Sequence, residues 1–148
     1  MSERPAPLEA GAAIIRLTTA VGERALEARA ASGLSGLQLQ VLRVAADGTT
    51  MGALAAALRA SKSTVTSVVD QLEAMRLAAR VGDQDDQRRR IVHSTVAGTA
   101  RLTEFDEALA SRIDGVLANL SPTRSHRLRE LMSTLPDATV PFPLAGPL

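Results

Sequence analysis

TMGALAAALRASKSTVTSVVDQLEAMRLAARVGDQDDQRRRIVHSTVAG, residues 50–98, decides the fold. Thr50 can cap a short helix over 51–59 that buries Leu54, Ala55 and Leu58, and the turn Arg59-Ala60-Ser61 follows at once. Ser61 caps a second helix, expected over 62–76. Its inward residues Val65, Val68, Val69 and Leu72 form an i, i+3, i+4, i+7 set. Lys62, Ser63, Thr64, Thr66, Ser67 and Gln71 are left on its outer surface. Residues 77–81 read as a strand, 82–87 as a polar tip, and 88–96 as the returning strand, with a register that Ile91-Val92 blurs. Two short helices followed by an Arg-tipped hairpin have the shape of a winged helix-turn-helix. The second helix can enter a major groove and the hairpin can reach the flanking backbone or minor groove, which makes duplex DNA the expected partner.

Working outward, residues 8–31 have a helical pattern with Ile14, Leu17, Val21, Ala25 and Ala28 on one face, stopped by Gly33. Ser35 can cap a helix over 36–46 with Leu39, Leu42 and either Val44 or Ala45 inward, and Asp47-Gly48 is a turn. After the hairpin a long helix is expected over 97–120, carrying Leu102, Phe105, Leu109, Ile113, Val116, Leu117 and Leu120. Ser121-Pro122 starts a last helix with Leu128, Leu131, Met132 and Leu135. Residues 136–148 hold four prolines and are expected not to be helical. The expected fold class is therefore mainly α with a small β-hairpin wing and about six helices. The expected organisation is an N-terminal dimerisation helix over 1–33, a winged helix-turn-helix DNA-binding module over 34–96, and C-terminal dimerisation helices with a Pro-rich tail over 97–148. The apolar stripes of the terminal helices exceed what one module can cover, which predicts a homodimer paired through them. A dimer would set two recognition helices about 34 Å apart, as a pseudopalindromic operator requires.

Composition narrows the function classes. The chain has 148 residues, 45% of them apolar but only 1% aromatic, so its core is aliphatic and base stacking on single strands is disfavoured. The net charge of +1 argues against a non-specific architectural DNA binder, and DNA affinity must come from local clustering. Lys62 is the single lysine, at the start of the candidate recognition helix. With no cysteine, disulfides and thiolate metal sites are excluded. No apolar run approaches the roughly 20 residues that span a bilayer, and residues 1–11 lack signal-peptide character, so a cytoplasmic protein without membrane contact is expected. His93 and His126 stand alone and read as ordinary surface or packing residues rather than metal ligands. With no phosphate-binding glycine loop and no nucleophile–base pair at a diagnostic spacing, neither an enzyme nor a cofactor is expected.

The ordered set Thr50-x₃-Leu54-Ala55-x₂-Leu58, Ser61-x₂-Thr64-Val65-Thr66-x₂-Val69-Asp70-x-Leu72-Glu73, Leu77-x₂-Arg80, Asp83-x-Asp85-Asp86-x-Arg88 and Thr95-x₂-Gly98 resembles the MarR family of regulators, with a compatible helix layout on both sides. The resemblance implies a homodimeric transcriptional regulator, usually a repressor, often released by small phenolic or other amphipathic ligands held between the dimerisation helices and the DNA-binding module. It also implies that a wing aspartate holds the arginine loop in shape. Four positions, Arg76, Gln87, Ser94 and the unusually apolar Met75, depart from the family pattern. Arg76 stands where the family usually has a left-handed Gly after the recognition helix. A non-Gly residue there costs about 1 kcal/mol, which predicts a differently shaped helix end. Gln87 replaces the first of two adjacent wing arginines, and Ser94 replaces a leucine.

The residues expected at DNA are Ser61, Lys62, Ser63, Thr64, Thr66, Ser67 and Gln71 on the helix, with Arg88, Arg89 and Arg90 on the wing. Alternation favours Arg88 and Arg90 over Arg89. Each has a plainer reading, as a solvated helix face or as a wing whose arginines pair with Asp83, Asp85 and Asp86. A winged helix turned to protein contact is the remaining alternative.

Overall fold

In a computed structural model, residues 7–82, 90–118 and 120–134 are described. They form α1 (Pro7–Ser32), α2 (Gly36–Val44), β1 (Thr49–Thr50), α3 (Met51–Leu58), α4 (Lys62–Ala74), β2 (Ala78–Gly82), β3 (Arg90–Ser94), α5 (Val96–Leu117) and α6 (Pro122–Ser133). Residues 83–89, with Asp83, Asp85, Asp86, Arg88 and Arg89, lie outside the described residues, as do the proline-rich residues 136–148 and Leu135.

Hydroxyl caps set the helix starts. Ser35 Oγ accepts from Gln38 N at 3.1 Å while Gln38 Oε1 accepts from Ser35 N at 2.8 Å, a complete capping box on α2. Thr50 caps α3, Ser61 caps α4 and Thr95 caps α5, each side chain accepting a backbone N–H three residues on. Each such cap is worth about 1 kcal/mol.

Both helices of the helix-turn-helix end on a left-handed arginine. Arg59 has φ 50° and Arg76 has φ 59°. After α4, Leu77 N donates to Leu72 O at 2.8 Å and Arg76 N to Glu73 O at 2.9 Å, a Schellman closure. The differently shaped end expected at Arg76 is therefore not found. The two closing hydrogen bonds hold the left-handed turn with a residue that has a Cβ. They also end α4 at Ala74, two residues short of the span expected from sequence.

The sheet is antiparallel in the order β1-β3-β2. Its registers are Thr49↔Val92 and Thr50↔Ile91 on one side, and Ala78↔Ser94 through Gly82↔Arg90 on the other. Val92 is fully buried while Ile91 and His93 are half-buried, which settles the register that Ile91-Val92 left open. The sequence reading did not anticipate β1, because two residues carry no periodicity.

The core joins Leu39, Val41, Leu42 and Ala45 of α2 and its end, Leu54 and Leu58 of α3, the four inward residues of α4, and Val92, with Ala28 and Phe105 adding the terminal helices. Ala45 takes the inward place and Val44 is exposed. Burying each large aliphatic side chain contributes about 2 kcal/mol before entropy is counted. Gly98 is a glycine that close approach of backbone requires. A Cβ on it would collide with the Leu77 carbonyl oxygen and lie 2.7 Å from Ser94 Oγ. That approach lets Thr95 N donate to Leu77 O at 3.0 Å and Thr95 Oγ1 to Arg76 O at 2.8 Å, so α5 is tied to the end of α4.

α1 packs along α5, with Ala25 and Ala28 buried and Leu17 and Val21 half-buried. The side chains of Ile14, Leu131 and Met132 lie outside the description. α6 makes no comparably extensive contact with any described element.

Candidate nucleic-acid interface

The four inward aliphatic residues of α4 fix its rotation, and the opposite side is therefore solvent-facing. Ser61, Lys62, Ser63, Thr64, Thr66, Ser67 and Gln71 are all exposed, as the helical spacing predicts. Arg90 is exposed at the start of β3, the one wing arginine of the expected three within the described residues.

The hydroxyls are partly committed. Ser61 Oγ lies 2.9 Å from Ser63 Oγ and 2.7 Å from Thr64 Oγ1, so three hydroxyls cluster at the helix start. Thr66 Oγ1 donates to Lys62 O at 2.8 Å, which leaves its methyl and the acceptor side of its hydroxyl for contact. Gln71 Oε1 accepts from Gln38 Nε2 at 3.0 Å. Gln71 is thus a link to α2 as well as a surface residue, and its amide nitrogen is the part left to donate. Among the described residues the Lys62 ammonium has no ion pair or hydrogen bond.

Asp70 and Glu73 put two carboxylates on this helix, where they would repel phosphate. Arg80 of β2 answers both. Its Nη1 lies 2.6 Å from Asp70 Oδ1 and 2.5 Å from Glu73 Oε2, and its Nη2 donates to Thr66 O at 3.4 Å. Its backbone N donates to Glu73 Oε1 at 2.8 Å. One guanidinium bridges both acidic residues of the helix, offsets part of their charge and fastens the wing strand to it. Sequence reasoning quoted Arg80 only as part of a motif and missed this role. The available signal was an arginine within the strand that follows a helix carrying Asp70 and Glu73 one turn apart.

Between α1 and α5 a small cleft is lined by Ala28, Ser32, Arg101, Glu104 and Phe105. Among the described residues no group of three or more metal-binding side chains is assembled, and no helix is long and apolar enough to cross a membrane.

Two short helices joined by a tight turn, a three-stranded sheet and an exposed polar second helix define a winged helix-turn-helix. The MarR family model matches residues 32–89, which span most of this module. The fold is similar to that of YusO from Bacillus subtilis, with a TM-score of 0.73 at 20% identity over 84% of this chain and 90% of that one. Wild-type apo MarR from E. coli gives 0.70 at 22% identity over 90% of this chain and 100% of that one. A MepR variant from S. aureus bound to an oligodeoxyribonucleotide gives 0.68 at 19% identity over 83% of this chain and 92% of that one. No curated protein matches the chain by sequence.

Proposed function

We propose that this chain is a sequence-specific transcriptional regulator that binds duplex DNA as a homodimer in the cytoplasm. It acts by binding rather than catalysis, as a repressor at a pseudopalindromic operator. The observation that carries the reading is the outer face of α4. It offers hydroxyls, a methyl, an amide and an ammonium that is unpaired among the described residues, while Arg80 pairs with both of its carboxylates. The DNA-bound state of the MepR variant, a protein of the same fold, supports it.

Each residue has a role in this reading. Lys62 and Ser63 meet phosphates or base edges at the helix start. The Thr66 methyl suits a thymine methyl, and Gln71 Nε2 suits an acceptor such as guanine O6 or thymine O4. Thr64 and Ser67 complete the face, and Ser61 serves first as the cap. Arg90, with Arg88 and Arg89, reaches the flanking backbone or minor groove. Short side chains read bases weakly, so part of the specificity comes from DNA shape. Ile15 and Leu26 on α1 are exposed apolar residues, which supports pairing with a second copy through the terminal helices. The cleft between α1 and α5 mixes Phe105 with Arg101 and Glu104, which supports an amphipathic effector that releases DNA.

Footprinting on the DNA upstream of the protein's own gene tests the reading. Two protected half-sites about 10 base pairs apart centre to centre are expected. Uniform protection without a preferred site would contradict it.

A further inference from the structure

The two helices of the helix-turn-helix close in the same way. After α3, Ala60 N donates to Ala55 O at 3.1 Å and Arg59 N to Ala56 O at 3.2 Å, which repeats the Schellman closure around Arg76. Glycine takes the left-handed conformation without strain, and this chain uses glycine for it at Gly33 and Gly48. Only at the two ends of the helix-turn-helix helices is it taken, among the described residues, by a residue with a side chain, and both times that residue is arginine. Strain of this kind persists where the side chain has a use. Neither use is internal. Both residues are exposed, and among the described residues neither guanidinium forms a hydrogen bond or ion pair, unlike those of Arg24, Arg43, Arg80 and Arg112.

We propose that Arg59 and Arg76 are phosphate-binding residues that bracket the recognition helix, one before its start and one beyond its end. The inference rests on the reading of α4 as a DNA-binding helix. Its 13 residues rise about 20 Å, more than the roughly 12 Å width of a major groove. A helix of that length seated in the groove brings its ends up to the two sugar-phosphate strands that wall it. A guanidinium at each end is suited to bidentate phosphate contact. Such contacts fix the position of the helix and carry no base preference.

The test is Arg59→Gly and Arg76→Gly, singly and together, with Lys62→Ala as comparator. Each is titrated with duplex DNA from upstream of the gene and with a scrambled duplex at several salt concentrations. Each glycine variant is expected to fold, with a Tm equal to or above that of the parent because the strain is relieved. Each is expected to bind both duplexes roughly three- to tenfold more weakly, with the salt slope reduced by about one per protomer and the preference between duplexes unchanged. Unchanged affinity in the glycine variants while Lys62→Ala weakens binding overturns the inference alone. Weaker binding without a smaller salt slope also overturns it, because that marks altered helix geometry rather than a lost phosphate contact. A parent protein that binds neither duplex overturns the DNA-binding reading and the inference with it.

Discussion

Single residues here carry two kinds of constraint, steric and electrostatic. Gly98 is steric: Leu77 O occupies the place of its Cβ and is itself held by Thr95 N. Gly98→Ala is expected to cost about 3 kcal/mol, which thermal unfolding would read as a Tm lower by roughly 6–12 °C. An unchanged Tm would mean that α5 shifts freely against the end of α4. Arg80 is electrostatic. Its partners are partly exposed, so Arg80→Ala is expected to cost only about 1–2 kcal/mol of stability. Its larger effect is expected on DNA affinity, with a loss of tenfold or more, because two carboxylates are then left without their cationic partner on α4. Adding Asp70→Asn and Glu73→Gln should restore much of that affinity. Failure of this rescue in a folded triple variant would show that Arg80 does not act through those carboxylates. At this scale the sequence was legible where chemistry is local. Ser35, Thr50 and Ser61 cap helices through atoms three residues away. It was silent where partners are brought together by folding, as in Gln38 with Gln71 and Arg80 with Asp70 and Glu73. The left-handed Arg76 misled for a related reason. Propensity favours glycine there, and the hydrogen bonds from Arg76 and Leu77 that override it become visible only in the folded chain.

At the scale of elements, hydrophobic period was the strongest signal. The spacing of Val65, Val68, Val69 and Leu72 fixes which side of α4 is buried, and so which side is offered to a ligand. Val65 is fully buried, so Val65→Asp places a charge in an aliphatic core and is expected to unfold the module. Loss of the cooperative transition in circular dichroism would record this. Retained folding with normal DNA binding would mean that the core around α4 is not as packed as its burial implies. Boundaries were less legible than existence, since closing turns at Ala45 and Arg76 shorten α2 and α4 relative to their apolar pattern. β1 could not be read at all. Thr49 and Thr50 become a strand only because β3 lies beside them, and Thr50 then serves as the cap of α3 as well.

For the whole molecule, the near-neutral charge decides between kinds of DNA binding. A net charge of +1 gives no field to hold DNA non-specifically, so on the proposed reading affinity is concentrated at α4 and the wing. The exposed Ile15 and Leu26 of α1, together with the thin packing of α6, leave apolar surface that one copy of the chain does not cover. A dimer joined there is expected to show a Tm that rises with protein concentration. A Tm independent of concentration, with a monomeric mass in solution, would exclude the homodimer. The most direct test of site-specific DNA recognition through α4 is competition binding of the purified protein. Its own upstream duplex would be set against a scrambled duplex of equal length, at two salt concentrations, for the parent and for Lys62→Ala. A preference on the order of 10³ for the upstream duplex, with weaker binding by Lys62→Ala, is the expected result. Equal binding to both duplexes, or full affinity in Lys62→Ala, would contradict it.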